Sequence, residues 1–280
     1  MNPEPRAPES QRAAPRARGV TLIEMIAVIA ITGIVAAAVA SFIRRPVEGY
    51  VDAARRAELT DIADTALRRI TRDLRTALPN SIRVTSVGAS HYLEYLQVSG
   101  GGRYRAEPDS TGGGDTLDFT SADSSFEVLG PAPSVTGGEF LVVYNLGPGA
   151  DPANAYADPP GNNRQAIAAI AGGVVTLSAP KLFPFASPGR RFQIVQHPVT
   201  YACEAGVLRR YWGYAISAAQ PTPPAGGSSA LLATNVTDCS FSYATGGATG
   251  RTGVVSLTLE IGQSGEKVRL FQQAHVANVP

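Results

Sequence analysis

Charge is scarce in this chain. Asp, Glu, Lys and Arg make up 17% of its 280 residues, and 24 bases against 23 acids leave a formal net charge of +1. Nucleic acid is held by a basic surface, so this balance gives no electrostatic basis for such a partner. A disordered acidic or basic tail is excluded too, because 44% of the residues are hydrophobic and can form a core. Side chains suited to catalysis or metal binding are equally sparse: three His, two Cys and one Trp. His91, His197 and His275 lie far apart, with no carboxylate or thiol at ligand spacing, so no zinc centre or hydrolase is indicated. No Ser occupies a nucleophile elbow, and no Gly-rich run leads into the Lys-Ser/Thr of a phosphate cradle. The sequence therefore predicts a protein that is not an enzyme and needs no cofactor or metal. What it has in excess is Gly (29) and Pro (21), which break helices and point to a turn-rich β body.

One region departs from this pattern. Four arginines, Arg6, Arg12, Arg16 and Arg18, precede an apolar run over residues 20–43 in which Glu24 is the one charge. That run would make roughly 36 Å of helix against a hydrocarbon thickness of about 30 Å, enough to cross a bilayer with some tilt. The basic leader then stays cytoplasmic and the remainder crosses. Three kinds of N-terminus fit such a segment: a cleaved secretory signal, a plain signal anchor, or a leader cut ahead of the apolar run. A secretory core is usually about 7–15 residues, shorter than this one, although Ala38-Val39-Ala40 offers a small-residue cleavage pattern. A carboxylate in an apolar helix costs roughly 2.5–3.5 kcal/mol at the bilayer centre and less near the interface, and a plain anchor has no use for it.

The residues Gly19-Val20-Thr21-Leu22-Ile23-Glu24, followed by an uncharged helix, resemble the N-terminus of type IV prepilins and pseudopilins. The resemblance implies that prepilin peptidase cuts after Gly19 and methylates the new terminus at Val20, where most of the family has Phe. It also implies that Thr21, Leu22, Ile23 and Glu24 serve assembly. Cleavage would place an amine on Val20, about 6 Å along a helix from the Glu24 carboxylate. In the family that carboxylate meets the terminal amine of a neighbouring subunit, a pairing that fixes register more than it adds stability, because desolvation offsets the Coulomb gain. A carboxylate that snorkels to the headgroups, or rests on the positive end of its helix, is the alternative.

Beyond Pro46 and Gly49, a second helical pattern runs over 51–78, with Leu59, Ile62, Ala66, Ile70, Leu74 and Ala77 in one stripe. Pro46 is expected to kink or interrupt the join. The opposite face is charged and reads as a solvated face or as a surface for neighbouring subunits. From residue 81 onward, short apolar or alternating runs predict strands at 82–87, 92–98, 116–119, 126–129, 140–146, 174–177, 192–197, 207–214, 240–243, 254–261 and 267–276. Gly/Pro-rich stretches at 99–114, 147–163 and 217–229 predict mobile or variable loops. The expected fold is α+β: a leader at 1–19, a transmembrane and assembly helix at 20–44, an amphipathic helix at 45–80, and a β-rich pilin-like head at 81–280, in one lobe or two. Cys203 and Cys239, both beyond the apolar run, are expected to form a disulfide in an oxidising compartment, with two separate buried thiols as the alternative. The acidic loops with Asp109 and Asp115, or Asp151 and Asp158, match no EF-hand and read as turns or as a calcium loop. Tyr211, Trp212 and Tyr214 read as strand core or as a sugar- or partner-binding platform.

The segment 49–84, GYVDAARRAELTDIADTALRRITRDLRTALPNSIRV, together with Leu208-Arg209-Arg210-Tyr211-Trp212-Gly213-Tyr214 and the ending Gln273-Ala274-His275-Val276-Ala277-Asn278-Val279-Pro280, resembles the MshO family of minor pseudopilins from mannose-sensitive haemagglutinin (MSHA) pilus systems. This implies a low-abundance pilus subunit anchored once in the inner membrane, with its head in the periplasm. Its implied partners are other pilins, prepilin peptidase and the inner-membrane assembly platform. A minor pseudopilin of type II secretion shares all the N-terminal physics. A membrane-anchored periplasmic enzyme or binding module needs neither the leader cleavage nor Glu24.

Overall fold

The computed structural model describes residues 19–159, 161–246 and 250–280; the leader arginines lie outside them. It is an α+β chain: one long N-terminal helix, α1 (Leu22–Leu74), followed by twelve antiparallel strands among the described residues. Two compact units are present, Met1–Ala54 and Arg55–Pro280. In the first, α1 runs through Pro46 and Gly49 as helix, where an interruption was expected. A proline removes a single donor, and the neighbouring turns keep theirs. The large apolar side chains from Leu22 to Ile43 are exposed, and the most apolar 18-residue window has a mean hydropathy of 2.6 with none of it buried. This helix is long and apolar enough to cross a membrane.

In the second unit the C-terminal part of α1 buries Leu59, Ala63, Ala66, Leu67, Ile70 and Leu74, the three- and four-residue steps of the predicted stripe. The helix stops at Leu74, short of the expected 78. Its last amides bond three residues back, and the chain then joins a strand, with Ala77 opposite Gln97 and the Leu78 amide donating to the Leu96 carbonyl at 2.8 Å. The strands are β1 (Arg83–Val87), β2 (Ser90–Tyr104), β3 (Asp123–Leu129), β4 (Phe140–Val143), β5 (Arg164–Ala171), β6 (Val174–Lys181), β7 (Arg191–Glu204), β8 (Val207–Trp212), β9 (Ser228–Ala233), β10 (Val236–Gly246), β11 (Thr252–Gln263) and β12 (Glu266–Ala277).

Nine strands form one sheet in the order β1-β2-β3-β6-β5-β4-β7-β8-β9, and β2 also pairs with β7. That extra pairing closes the circuit β2-β3-β6-β5-β4-β7 into a small barrel filled by Tyr104, Phe126, Leu141, Val175, Phe192 and Ile194. A second core lies under α1, where Leu93, Tyr95, Val199 and Tyr201 meet the helix and the separate sheet β10-β11-β12. The long strands β2 and β7 serve both cores: their halves at 90–96 and 198–204 face the helix, and the halves at 98–104 and 191–195 line the barrel. The β2–β7 register shifts between Leu96 and Gly100, which turns the ladder from one core to the other. The head thus has two cores on one strand pair, a finding the one-or-two-lobe expectation left open.

Several expected boundaries change. Gly100, Gly101 and Gly102, expected in a loop, belong to β2, where a Cβ on Gly101 would lie 2.6 Å from the Phe192 carbonyl oxygen. Glycine here permits close strand contact. Residues 116–119 are not a strand: Leu117 is buried in the barrel core with its amide donating to the Arg105 carbonyl, and Asp118 turns the chain by accepting the Thr120 amide and hydroxyl. The stretch 147–163 packs inward, with Ala155 and Tyr156 in a third cluster beside Leu96 and Val142 and the Tyr156 hydroxyl on the Ser81 carbonyl at 2.8 Å. β5 and β9 were not expected.

Three carboxyls are held below their usual range by local donors: half-buried Asp118 by the Ser121 and Thr120 hydroxyls, exposed Asp109 by Thr111 and Gly113, and half-buried Glu127 by Arg105. A depressed carboxyl contributes stability that is full above its ordinary value, 3.8 for Asp and 4.5 for Glu, and lost as pH falls through the depressed one. Differential scanning calorimetry of the protein should therefore show the melting temperature falling as pH drops below about 4.5. A flat profile down to about pH 3 would refute this.

Candidate functional site

The chain enters α1 through an exposed, non-helical Gly19-Val20, and open space surrounds the position of a Cβ on Gly19. A peptidase needs such an accessible bond. Thr21 caps the helix. Its hydroxyl accepts the Glu24 amide at 3.3 Å, its carbonyl accepts the Glu24 and Met25 amides at 3.1 Å each, and its own amide reaches back to Glu24 Oε2 at 3.5 Å. This reciprocal arrangement is a capping box, and its sequence signature, Thr-x-x-Glu, stands in Thr21-Leu22-Ile23-Glu24. The same carboxylate lies at the positive end of the helix dipole. The sequence reading gave Thr21 and Glu24 an assembly role, with the dipole position as an alternative for Glu24, and missed the capping box. In the uncut chain Val20 precedes the first helical residue, Leu22. Leu22 and Ile23, at 81% and 76% exposure, project into the surroundings.

The head is held together by two polar networks. Asp73, in the last full turn of α1, accepts the Tyr201 hydroxyl at 2.6 Å and Arg210 Nε at 2.9 Å through Oδ2, and Arg69 at 3.1 Å through Oδ1, which ties the helix to β7 and β8. Glu94 is fully buried and accepts from Arg83 Nε at 2.8 Å, the Tyr214 hydroxyl at 2.9 Å and the Thr200 hydroxyl at 3.4 Å. Burial pushes the Glu94 carboxyl up, and the guanidinium of Arg83 pulls against it. Arg83 also donates to the Ser217 and Ala218 carbonyls and stacks 3.7 Å from the Tyr156 ring. Arg83→Ala should therefore leave a buried carboxylate without its cation and lose about 3–5 kcal/mol. Urea melts of Arg83→Ala and of the paired Arg83→Met/Glu94→Leu variant check this, with the pair expected to lose less.

The remaining sequence candidates are drawn into structural roles. Tyr214 is buried on Glu94, Tyr211 bonds Glu204, and Trp212 is half-buried under Arg210, whose guanidinium lies 4.9 Å from its ring centre. Asp109 accepts the Thr111 and Gly113 amides, and Asp115 accepts the Ser125 hydroxyl. His91 shares a hydrogen bond with Ser86, and the three histidines stand on different strands. Among the described residues, no three His, Cys, Asp or Glu side chains are grouped to hold a metal ion. Cys203 and Cys239 form a disulfide between β7 of the nine-stranded sheet and β10 of the three-stranded one, and it lines a groove of about 370 Å³ with His91, Glu204 and Asp238.

Residues 15–40 match the family described as the prokaryotic N-terminal methylation motif. The chain thus carries a type IV pilin-like processing signal, and the match takes in Gly19, the capping box and most of the exposed apolar helix. No curated protein and no solved structure is significantly similar to the chain.

Proposed function

We propose that this chain is a minor pilin-like subunit of an MSHA-type type IV pilus. Prepilin peptidase cuts it after Gly19 and methylates Val20, the apolar part of α1 anchors it in the inner membrane, and the head works in the periplasm. The observation that carries this reading is a methylation motif placed over a capped helix whose large apolar side chains from Leu22 to Ile43 are exposed. Such a surface in water is a large unpaid hydrophobic area, and lipid or neighbouring apolar helices are what cover it. Within a filament of such helices, Glu24 would receive the amine freed on a neighbour's Val20, and a subunit out of register would leave both charges unpaired in a medium of low dielectric.

The domains follow: a leader at 1–19, a membrane and assembly helix at 20–44, an amphipathic helix at 45–80 and a head at 81–280. The MSHA assignment rests on the likeness at 49–84 and at the two head motifs. N-terminal mass spectrometry of the protein from cells with an active prepilin peptidase tests the processing. The expected terminus is N-methylated Val20. A terminus at Met1 or at Ser41 would overturn the reading.

A further inference from the structure

Two grooves on the head meet at Arg191, at the start of β7. The larger, about 540 Å³, lies between the barrel and the end of the three-stranded sheet, with Tyr144, Leu146 and Pro188 on one wall and Arg251 and Val279 on the other. Asn80 braces it: its side-chain amide donates to the Asn145 carbonyl at 2.9 Å and to the Asn278 carbonyl at 3.1 Å, so the walls are joined and the cleft is formed in advance. The smaller, about 400 Å³, runs over Gly100, Gly101 and Gly102 of β2 beside Arg103. Arg103 and Arg191 stand directly opposite each other on β2 and β7, a like-charge pair that costs stability. Both are exposed, as is Arg251. The adjacent arginines are used within the head, Arg105 on Glu127 at 2.7 Å and Arg190 on Glu107 at 2.6 Å. Among the described residues, Arg103, Arg191 and Arg251 have no ion-pair or side-chain hydrogen-bond partner, the Pro280 carboxylate included, and no Asp or Glu side chain lines either groove. Leu146 and Val279, at 41% and 48% exposure, lie uncovered in the same cleft.

We propose that the joined groove binds an acidic peptide segment of another protein, its carboxylates on Arg103, Arg191 and Arg251 and its apolar side chains on Leu146 and Val279. A guanidinium presents a planar fork that matches a carboxylate, and three of them without acids of their own form a complementary surface. The like-charge pair across β2 and β7 is a local conflict that a bound anion relieves, as is common where a fold gives up stability for a site. The apolar wall decides the class of anion. A phosphate-bearing headgroup or a sulfated polysaccharide would satisfy the arginines and leave Leu146 and Val279 in water, whereas a peptide with alternating acidic and apolar residues covers both.

The test uses the full-length chain in phosphatidylcholine nanodiscs and fluorescence anisotropy of a labelled peptide of alternating glutamate and valine, with empty nanodiscs as the blank. Saturable binding is expected, weakening several-fold as salt rises from about 0.05 to 0.5 M. Arg103→Ser/Arg191→Ser should weaken it at least ten-fold, and Leu146→Ser/Val279→Ser at least five-fold. A lysine-valine peptide should not bind, and a glutamate-serine peptide should bind at least five-fold more weakly. The arginine variant should also melt no lower than wild type, because its loss removes a repulsion and no contact within the head. Failure of the glutamate-valine peptide to bind, or equal binding by the arginine variant, would overturn the proposal. A fall in that variant's melting temperature by more than about 3 °C would do so too, by showing the arginines to be structural. Tighter binding of heparin, inorganic phosphate or the glutamate-serine peptide would mark the groove as a general anion surface and overturn the peptide assignment. None of these outcomes depends on cleavage after Gly19, so failure here leaves the assembly reading standing.

Discussion

Glu24→Gln is expected to enter the membrane normally, be cut after Gly19, and yet reach filaments at a level at least ten-fold below wild type. The choice of glutamine separates two roles that the structure superimposes. Glu24 closes the capping box with Thr21, and a glutamine amide can close the same box. A cap lost entirely costs about 1 kcal/mol, which Glu24→Ala would incur and Glu24→Gln would not. The charge is what glutamine lacks, and a neighbour's free amine in an apolar surrounding has no other carboxylate in the described helix to meet between Leu22 and Ile43. A ten-fold loss corresponds to about 1.4 kcal/mol of pairing, a modest requirement for two charges in a medium of low dielectric. Quantitative immunoblots of sheared filaments against the membrane fraction read the ratio. If Glu24→Ala lowers incorporation and Glu24→Gln does not, the side chain acts as a helix cap and the charge-pairing proposal fails.

Removing the disulfide should have a large effect on stability. Cys203 and Cys239 are 36 residues apart in sequence, and closing a loop of that length restricts the unfolded chain by about 4 kcal/mol in the chain-entropy account. The link also has structural reach, because it fastens the three-stranded sheet to the nine-stranded one across the core beneath α1. Both half-cystines are buried, so alanines there would leave a small defect in addition to the lost link. For Cys203→Ala/Cys239→Ala the melting temperature should fall by roughly 8–16 °C, at a few degrees per kcal/mol for a domain of this size. Circular dichroism melts of the detergent-solubilised variant, beside wild type with and without reductant, measure it. A fall of less than about 2 °C would mean that the two sheets hold together without the bond.

The parts of this fold that a reader of the sequence finds are those where one strong local signal acts alone. The apolar run with Glu24 behind a glycine is such a signal, and so is the stripe Leu59, Ile62, Ala66, Ile70, Leu74, which the structure buries or half-buries along α1. Strands β11 and β12 show the alternation that a one-sided sheet imposes, and their predicted spans fall within the observed ones. The parts that stay hidden are set by partners distant in sequence. β5 is rich in alanine with Ile167 and Ile170 three apart, a pattern nearer to helix than strand, and it becomes a strand because β4 and β6 pair with it on either side. The three glycines of β2 look like a linker until Phe192 is brought against them. Segment 147–163 has loop composition, yet Asn145 accepts the Ala155 amide and donates to the Pro79 carbonyl, which fixes the segment in place. The capping box was present in four adjacent letters and was obscured by the more familiar role of its glutamate.

The barrel strands β3 to β6 all fall between β2 and β7 in the chain, and β2 and β7 lie side by side. The whole barrel is therefore an excursion that leaves one strand and comes home on its immediate neighbour. Lengthening, shortening or exchanging that excursion would leave the ladder between residues 90–96 and 198–204 able to close on itself like a long hairpin over α1. Whatever the outer lobe touches can thus diversify on its own, while the part of the head seated on the helix stays the same.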